Sequence, residues 1–197
     1  MKRVFKYGFA VLLFTGICAV ECAAKKKPAT PPDPKFMAIR DISVLPVVDA
    51  RAGKKAGVNM DRLQASIVNA LYKGKRYPAS AASTSGEAGQ IAEEDLQSAL
   101  PAFVKKLGSP DARWVMVVCL EDVISKITFG STGNAEVSGY LFDKDSGALV
   151  WSSKGVGQAG QGGLMGMTMK GMMKSEALSS AVANLLASIP ARPKPGK

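Results

Sequence analysis

The chain has 197 residues, 47% of them hydrophobic and 21% charged, with a formal net charge of +10, three cysteines and no histidine. Without imidazole, Ser-His-Asp and Cys-His nucleophiles and the His-based zinc and iron ligand sets are excluded, which leaves acid–base work to carboxylates or lysines. Nucleic acid is a poor partner despite the positive charge, because no basic-aromatic motif accompanies it.

Lys2, Arg3 and Lys6 precede residues 7–20, which carry no charge. That is the layout of a secretory signal. At about 14 residues the apolar run is shorter than the roughly 20 that span a bilayer as a helix. Cys22 and Ala24 supply small residues for cleavage after Ala24, so the expected destination is the bacterial periplasm. Cys18 and Cys22 are also the candidates for lipidation, although Ile17 and Glu21 before them are not the small residues lipidation favours. Cleavage removes three cations and Glu21 and leaves a charge of +8 with a single thiol, Cys119. One thiol makes no internal disulfide, and Cys119 sits in an apolar run, so it reads as a buried small hydrophobe.

Residues 25–35, KKKPATPPDPK, carry four prolines and four lysines and read as an extended linker. Residues 191–197, ARPKPGK, read as a basic tail. Such ends suit an anionic membrane or envelope surface. Between them, residues 36–190 are long enough for a single α/β domain with its own core.

In chain order, residues 37–48 predict a first strand that bends at Pro46. Asn59 predicts the cap of a helix with Met60, Leu63, Ile67, Ala70 and Leu71 on one face, closed by Gly74. Residues 77–82 suggest a second strand. Glu93, Glu94 and Asp95 fit the first turn of a helix, and Pro101 divides that helix from another. Residues 114–120 are apolar on both faces and predict a central strand covered on both sides. An alternating stretch follows, then a turn at residues 131–134, a strand at 135–142, a turn at 143–147 and a returning strand at 149–153. Ser175 and Glu176 open a last helix that Pro190 stops. The order predicts an α+β fold, a mixed and mostly antiparallel sheet with helices packed on it.

Most motifs give way to simpler explanations. Gly155, Gly157 and Gly160 match a dinucleotide fingerprint, but no second βα unit follows, so a flexible glycine loop is expected. Asp143, Asp145 and Gly147 begin like a calcium loop, but the twelfth position is Lys154 rather than Glu, and a hairpin turn explains them. Glu121 and Asp122 are adjacent in a strand, so their side chains should point to opposite faces. Asp41 and Asp49 flank the first strand without an evident partner. The most unusual stretch is residues 162–173, with Leu164 and five of the nine methionines: Met165, Met167, Met169, Met172 and Met173. It fits a Cu(I) thioether site, a pliable apolar surface for a protein or lipid, or a lead-in to the last helix that fills core gaps.

Several pieces together carry a resemblance. They are Ile42-Ser43-Val44-Leu45-Pro46 with Asp49 and Arg51, the helix end from Leu71 to Tyr77, and the strand from Trp114. The hairpin Asp143-Lys-Asp-Ser-Gly147 with Trp151 and the glycine-rich segment before the last helix complete them. Over roughly residues 37–190 the chain resembles the bacterial envelope lipoproteins related to the TolB amino-terminal domain, the penicillin-binding-protein activator LpoB and the curli-secretion protein CsgG. The resemblance implies a TolB-N-like fold and a non-enzymatic module of envelope assembly, secretion or partner activation, often lipid-anchored. It implies no ligand residues and no cofactor. The expectation is an exported adaptor that binds another envelope protein or copies of itself and touches a membrane surface. The alternatives are a periplasmic Cu(I) or small-ligand binder using the methionine cluster, and a hydrolase with a carboxylate site.

Overall fold

The computed structural model describes residues 34–53, 57–128, 130–162 and 170–192. The signal segment with Cys18 and Cys22, most of the linker, the last residues of the tail, and Leu164, Met165, Met167 and Met169 lie outside the described residues. Among the described residues, no helix is long and apolar enough to cross a membrane.

The architecture is an open, mixed sheet of six strands with helices packed on it, an α+β fold. A short helix α1 (Pro34–Met37) comes first, across the end of the stretch read as linker, and Phe36 is buried in the core. The predicted first strand is two pieces, β1 (Ile42–Val44) and β2 (Val48–Asp49). Pro46 lies in the break, where it can withhold a donor without losing a ladder bond. Both pieces run parallel to one long strand, β4 (Trp114–Thr128), and β3 (Ala79–Ala81) pairs parallel to β1 on its other side. Strands β4, β5 (Gly130–Asp143) and β6 (Ala148–Gly162) form an antiparallel meander. The strand order along the main path is β3-β1-β4-β5-β6.

Helix α2 (Met60–Asn69) starts where Asn59 was expected to cap it, and the Asn59 Oδ1 accepts from the Arg62 N–H at 2.9 Å. Its end differs. Gly74 does not cap; the helix widens into a π turn (Ala70–Lys75), and Arg76 closes it in the left-handed region at φ 62°. Two short helices follow, α3 (Glu93–Ser98) and α4 (Pro101–Val104), with Pro101 in the first turn of the second. The last helix, α5 (Lys170–Ala187), starts before Ser175.

Two apolar layers sandwich the near half of the meander. On one face, Val44, Met116, Val118 and Leu141 pack against Leu63 and Ile67 of α2 and Ala181 and Leu185 of α5. On the other, Val115, Val117, Cys119 and Phe142 pack against Ile91, Leu96, Val104 and Leu107. Residues 114–120 are therefore buried throughout, as their unbroken apolar character requires. Gln64 of α2, buried, ties the layers by donating to the carbonyls of Val44 at 2.8 Å and Ala82 at 2.9 Å.

Two expected loops are strand. The turn expected at residues 131–134 is continuous ladder, and β4 and β5 pair out to Thr128 and Gly130. The glycine loop expected at residues 155–160 is the outer half of β6. Gly155, Gly157 and Ala159 alternate along one face of that strand, as period-2 geometry requires. A Cβ at Gly155 or Gly157 would collide with the backbone carbonyls of Ala181 and Ala177 in α5, and one at Gly133 with that of Met173. The glycines are spaces into which the helix backbone sinks.

Candidate functional site

The far half of the meander distinguishes this sheet. Strands β1 and β2 accompany β4 only as far as Leu120. From there β4 runs alone on that side to Thr128, with β5 and β6 beside it, a ribbon about 25 Å long at the usual rise per residue. Helix α5 covers one face, where Val123, Ala135 and Gly157 lie in register. The opposite face has no cover among the described residues. Along β5 the burial changes from alternating to continuous at residue 137. On the open face Ile124 is 42% exposed and Val156 44%, both beside polar neighbours. No described strand pairs with the outer edge of β6, nor with β4 beyond Leu120.

A charged cluster sits where the covered half meets the open half. The ladder between β4 and β5 shifts between Leu120 and Asp122, a bulge that leaves Glu121 as the extra residue. The bulge overturns the expectation that Glu121 and Asp122 face opposite sides. Asp122 pairs across from Glu136, and Glu121 accepts a hydrogen bond from the Ser138 hydroxyl, two β5 residues of the same face. Lys154 of β6 joins them, with its Nζ 2.6 Å from Glu121 Oε2 and 2.8 Å from Glu136 Oε2. Burial pushes the Glu121 carboxyl up, but hydrogen bonds from Lys154 and Ser138 outweigh it and hold it below the usual range. The same two carboxylates push the Lys154 ammonium up.

The other sequence candidates separate. Asp49 is clamped by Arg51 in two contacts of 2.8 Å, with Asp122 adding to the field on Arg51. Asp41 is elsewhere, in a cleft of about 220 Å³ with Arg40, Asp111 and Arg113. Asp143 opens a hairpin turn: its Oδ1 accepts from the Asp145 N–H at 3.2 Å, and Arg113 binds both its oxygens at 3.1 and 3.3 Å. Burial raises the Asp143 carboxyl, and Arg113 with Ser146 draws it below its ordinary value overall. Arg113 also lies 5.0 Å from the centroid of the Trp114 ring. Cys119 is fully buried, and burial, aided by Glu93 and Glu121, pushes its thiol up to about 12. Of the methionine cluster, Met173 is buried and Met172 is 50% exposed, so the two described sulfurs point into different surroundings. Among the described residues, no group of three or more His, Cys, Asp or Glu could hold a metal.

The molecule is thus an α+β module whose sheet is finished on one half and open on the other. Neither a protein-family model nor a curated protein matches the sequence. Similar solved structures include the PelC dodecamer from Paraburkholderia phytofirmans, with 18% identity and a TM-score of 0.47, covering 78% of this chain and 89% of that one. Lipoprotein GNA1162 from Neisseria meningitidis is similar with 15% identity and a TM-score of 0.44, over 66% of this chain and 91% of that one. For the LpoB C-terminal domain from Escherichia coli the values are 15% and 0.34, over 62% and 92%.

Proposed function

We propose that the chain is an exported, non-enzymatic module of the bacterial envelope that works by binding a protein partner through the open half of its sheet. The observation that carries this reading is the ribbon itself. It has one face held rigid by α5, a second face with Ile124 and Val156 exposed, and two long edges that no described strand pairs with. Unpaired edges present rows of N–H and C=O groups, which an added strand satisfies. The exposed Lys126 on the β4 edge limits indiscriminate pairing there, because a partner has to match its charge. The signal layout and the resemblance to envelope lipoproteins support an encounter in the periplasm. The partner is another envelope protein or a further copy of this chain.

The carboxylates favour this reading over a hydrolase. A general acid needs a carboxyl raised towards neutrality. Glu121 and Asp143 are held ionised instead, each by a bound cation. The test is a crosslinking pull-down from intact cells with the native chain and an Ile124→Lys, Val156→Glu variant. The reading expects an envelope protein, or the chain itself, to be captured by the native form and lost from the variant. Capture of nothing, or equal capture by both, contradicts it.

A further inference from the structure

A second concavity lies away from the ribbon, between the first two turns of α2 and the first three turns of α5. It has a volume of about 400 Å³ and a floor of Leu63 and Leu178. Its polar walls are Arg62 and Ser66 from α2 and Lys174, Ser175 and Ser179 from α5. No carboxylate lines it. Its two cations also differ from those of the sheet: Arg51, Arg113 and Lys154 all hold carboxylates, whereas Arg62 and Lys174 have no ion-pair partner among the described residues. The Lys174 Nζ lies beside Gly57, at 3.4 Å from where a Cβ would stand, so it reaches across towards the start of α2.

We infer that this groove binds a phosphate-type anion. The guanidinium of Arg62 offers a planar fork for two oxygens, Lys174 offers a point charge from the other wall, and the serine hydroxyls complete the shell. The apolar floor and the volume leave room for a small organic group carrying the phosphate. Such a group is either a free phosphate ester or the headgroup of an anionic phospholipid. The groove does not depend on the ribbon's role.

The test uses the full chain and an Arg62→Gln, Lys174→Gln double variant. Both side chains are at the surface, so the variant is expected to keep its fold, which a circular-dichroism melt checks. Inorganic phosphate and glycerol 3-phosphate are titrated at constant ionic strength. The expected result is saturable binding by the native chain and at least about tenfold weaker binding by the variant. In parallel, both proteins are floated with phosphatidylglycerol or phosphatidylcholine vesicles. Capture by phosphatidylglycerol alone, lost in the variant and competed by glycerol 3-phosphate, assigns the headgroup as the source. Binding of the free anions without such capture assigns a soluble ester. No saturable binding of either kind by the native chain, or binding that the double variant retains unchanged, overturns the inference.

Discussion

The two halves of the β4–β5–β6 meander belong to the same three strands and share the same helix, yet they are built differently. In the near half both faces are buried, and the sequence is continuously apolar or aromatic: residues 115–120 on β4 and 139–142 on β5. In the far half, among the described residues, only the face under α5 is buried. There the residues of β5 and β6 are small, Gly133, Ala135, Gly155 and Gly157, and the opposite face is polar with Ile124 and Val156. One half is held by the volume of its side chains, the other by the closeness of a helix backbone. Stability is therefore concentrated at one end of the strands, and the other end is left available for contact.

Substitutions at the two ends should separate these roles. The largest effect is expected in the near half. Phe142 is fully buried and stacks with Tyr140 at a centroid distance of 6.5 Å. Phe142→Ala should cost about 3–5 kcal/mol in a denaturant titration. A smaller effect is expected from adding a single methyl group in the far half. Gly157→Ala has to push α5 outward, and overpacking of this kind costs about 1–3 kcal/mol. Hydrogen exchange should show the loosening in α5 and β6 and spare residues 114–120. If Gly157→Ala is neutral, the close seating of the helix is wrong.

The junction cluster gives a weaker, pH-dependent signal. The Glu121 carboxyl is held below its unfolded value, so its stabilising contribution is present above the ordinary carboxylate range and is lost as pH falls through the depressed value. Asp143 behaves in the same direction at the near end. A Glu121→Gln variant should lose less stability than the native chain between neutral and acid pH. An identical pH profile in both would remove Glu121 from the account. The smallest stability effect belongs to the open face: Ile124→Ser should shift stability by no more than about 0.5 kcal/mol, while partner capture from intact cells falls.

Local chemistry was the legible part of the sequence. Asn59 marked a helix start because its side chain can accept an orphan N–H, and it does. Pro101 divided two helices because it cannot continue the first, and the Asp143 turn followed from its Asp and Gly content. Residues 114–120 announced burial on both faces. Several of the misreadings involved glycine. Gly133 and the Gly155–Gly160 run resemble turns by propensity, since glycine weakens an isolated strand. What keeps them in a strand is the seating of α5 against them, a long-range fact. Their spacing did contain the clue, because 155, 157 and 159 alternate small residues on one face, as Ala177 and Ala181 recur on one face of the helix. Gly74 misled for a related reason: the helix widens through it, and Arg76 takes the left-handed position. The bulge that gathers Glu121 and Asp122 on one face has no local signature, because register is decided between strands.

Contact through the open half of the sheet is the proposal. It is tested most directly by placing a photo-crosslinking residue at one site at a time in the full chain and irradiating intact cells. Positions 124 and 156 sample the open face. Positions 72 and 100 are controls of comparable character, since Tyr72 is 62% exposed and Leu100 60% exposed, both away from the ribbon. Discrete adducts are expected from 124 and 156 and none from 72 and 100. Adducts confined to 72 or 100, or no adduct from the ribbon positions, would contradict it.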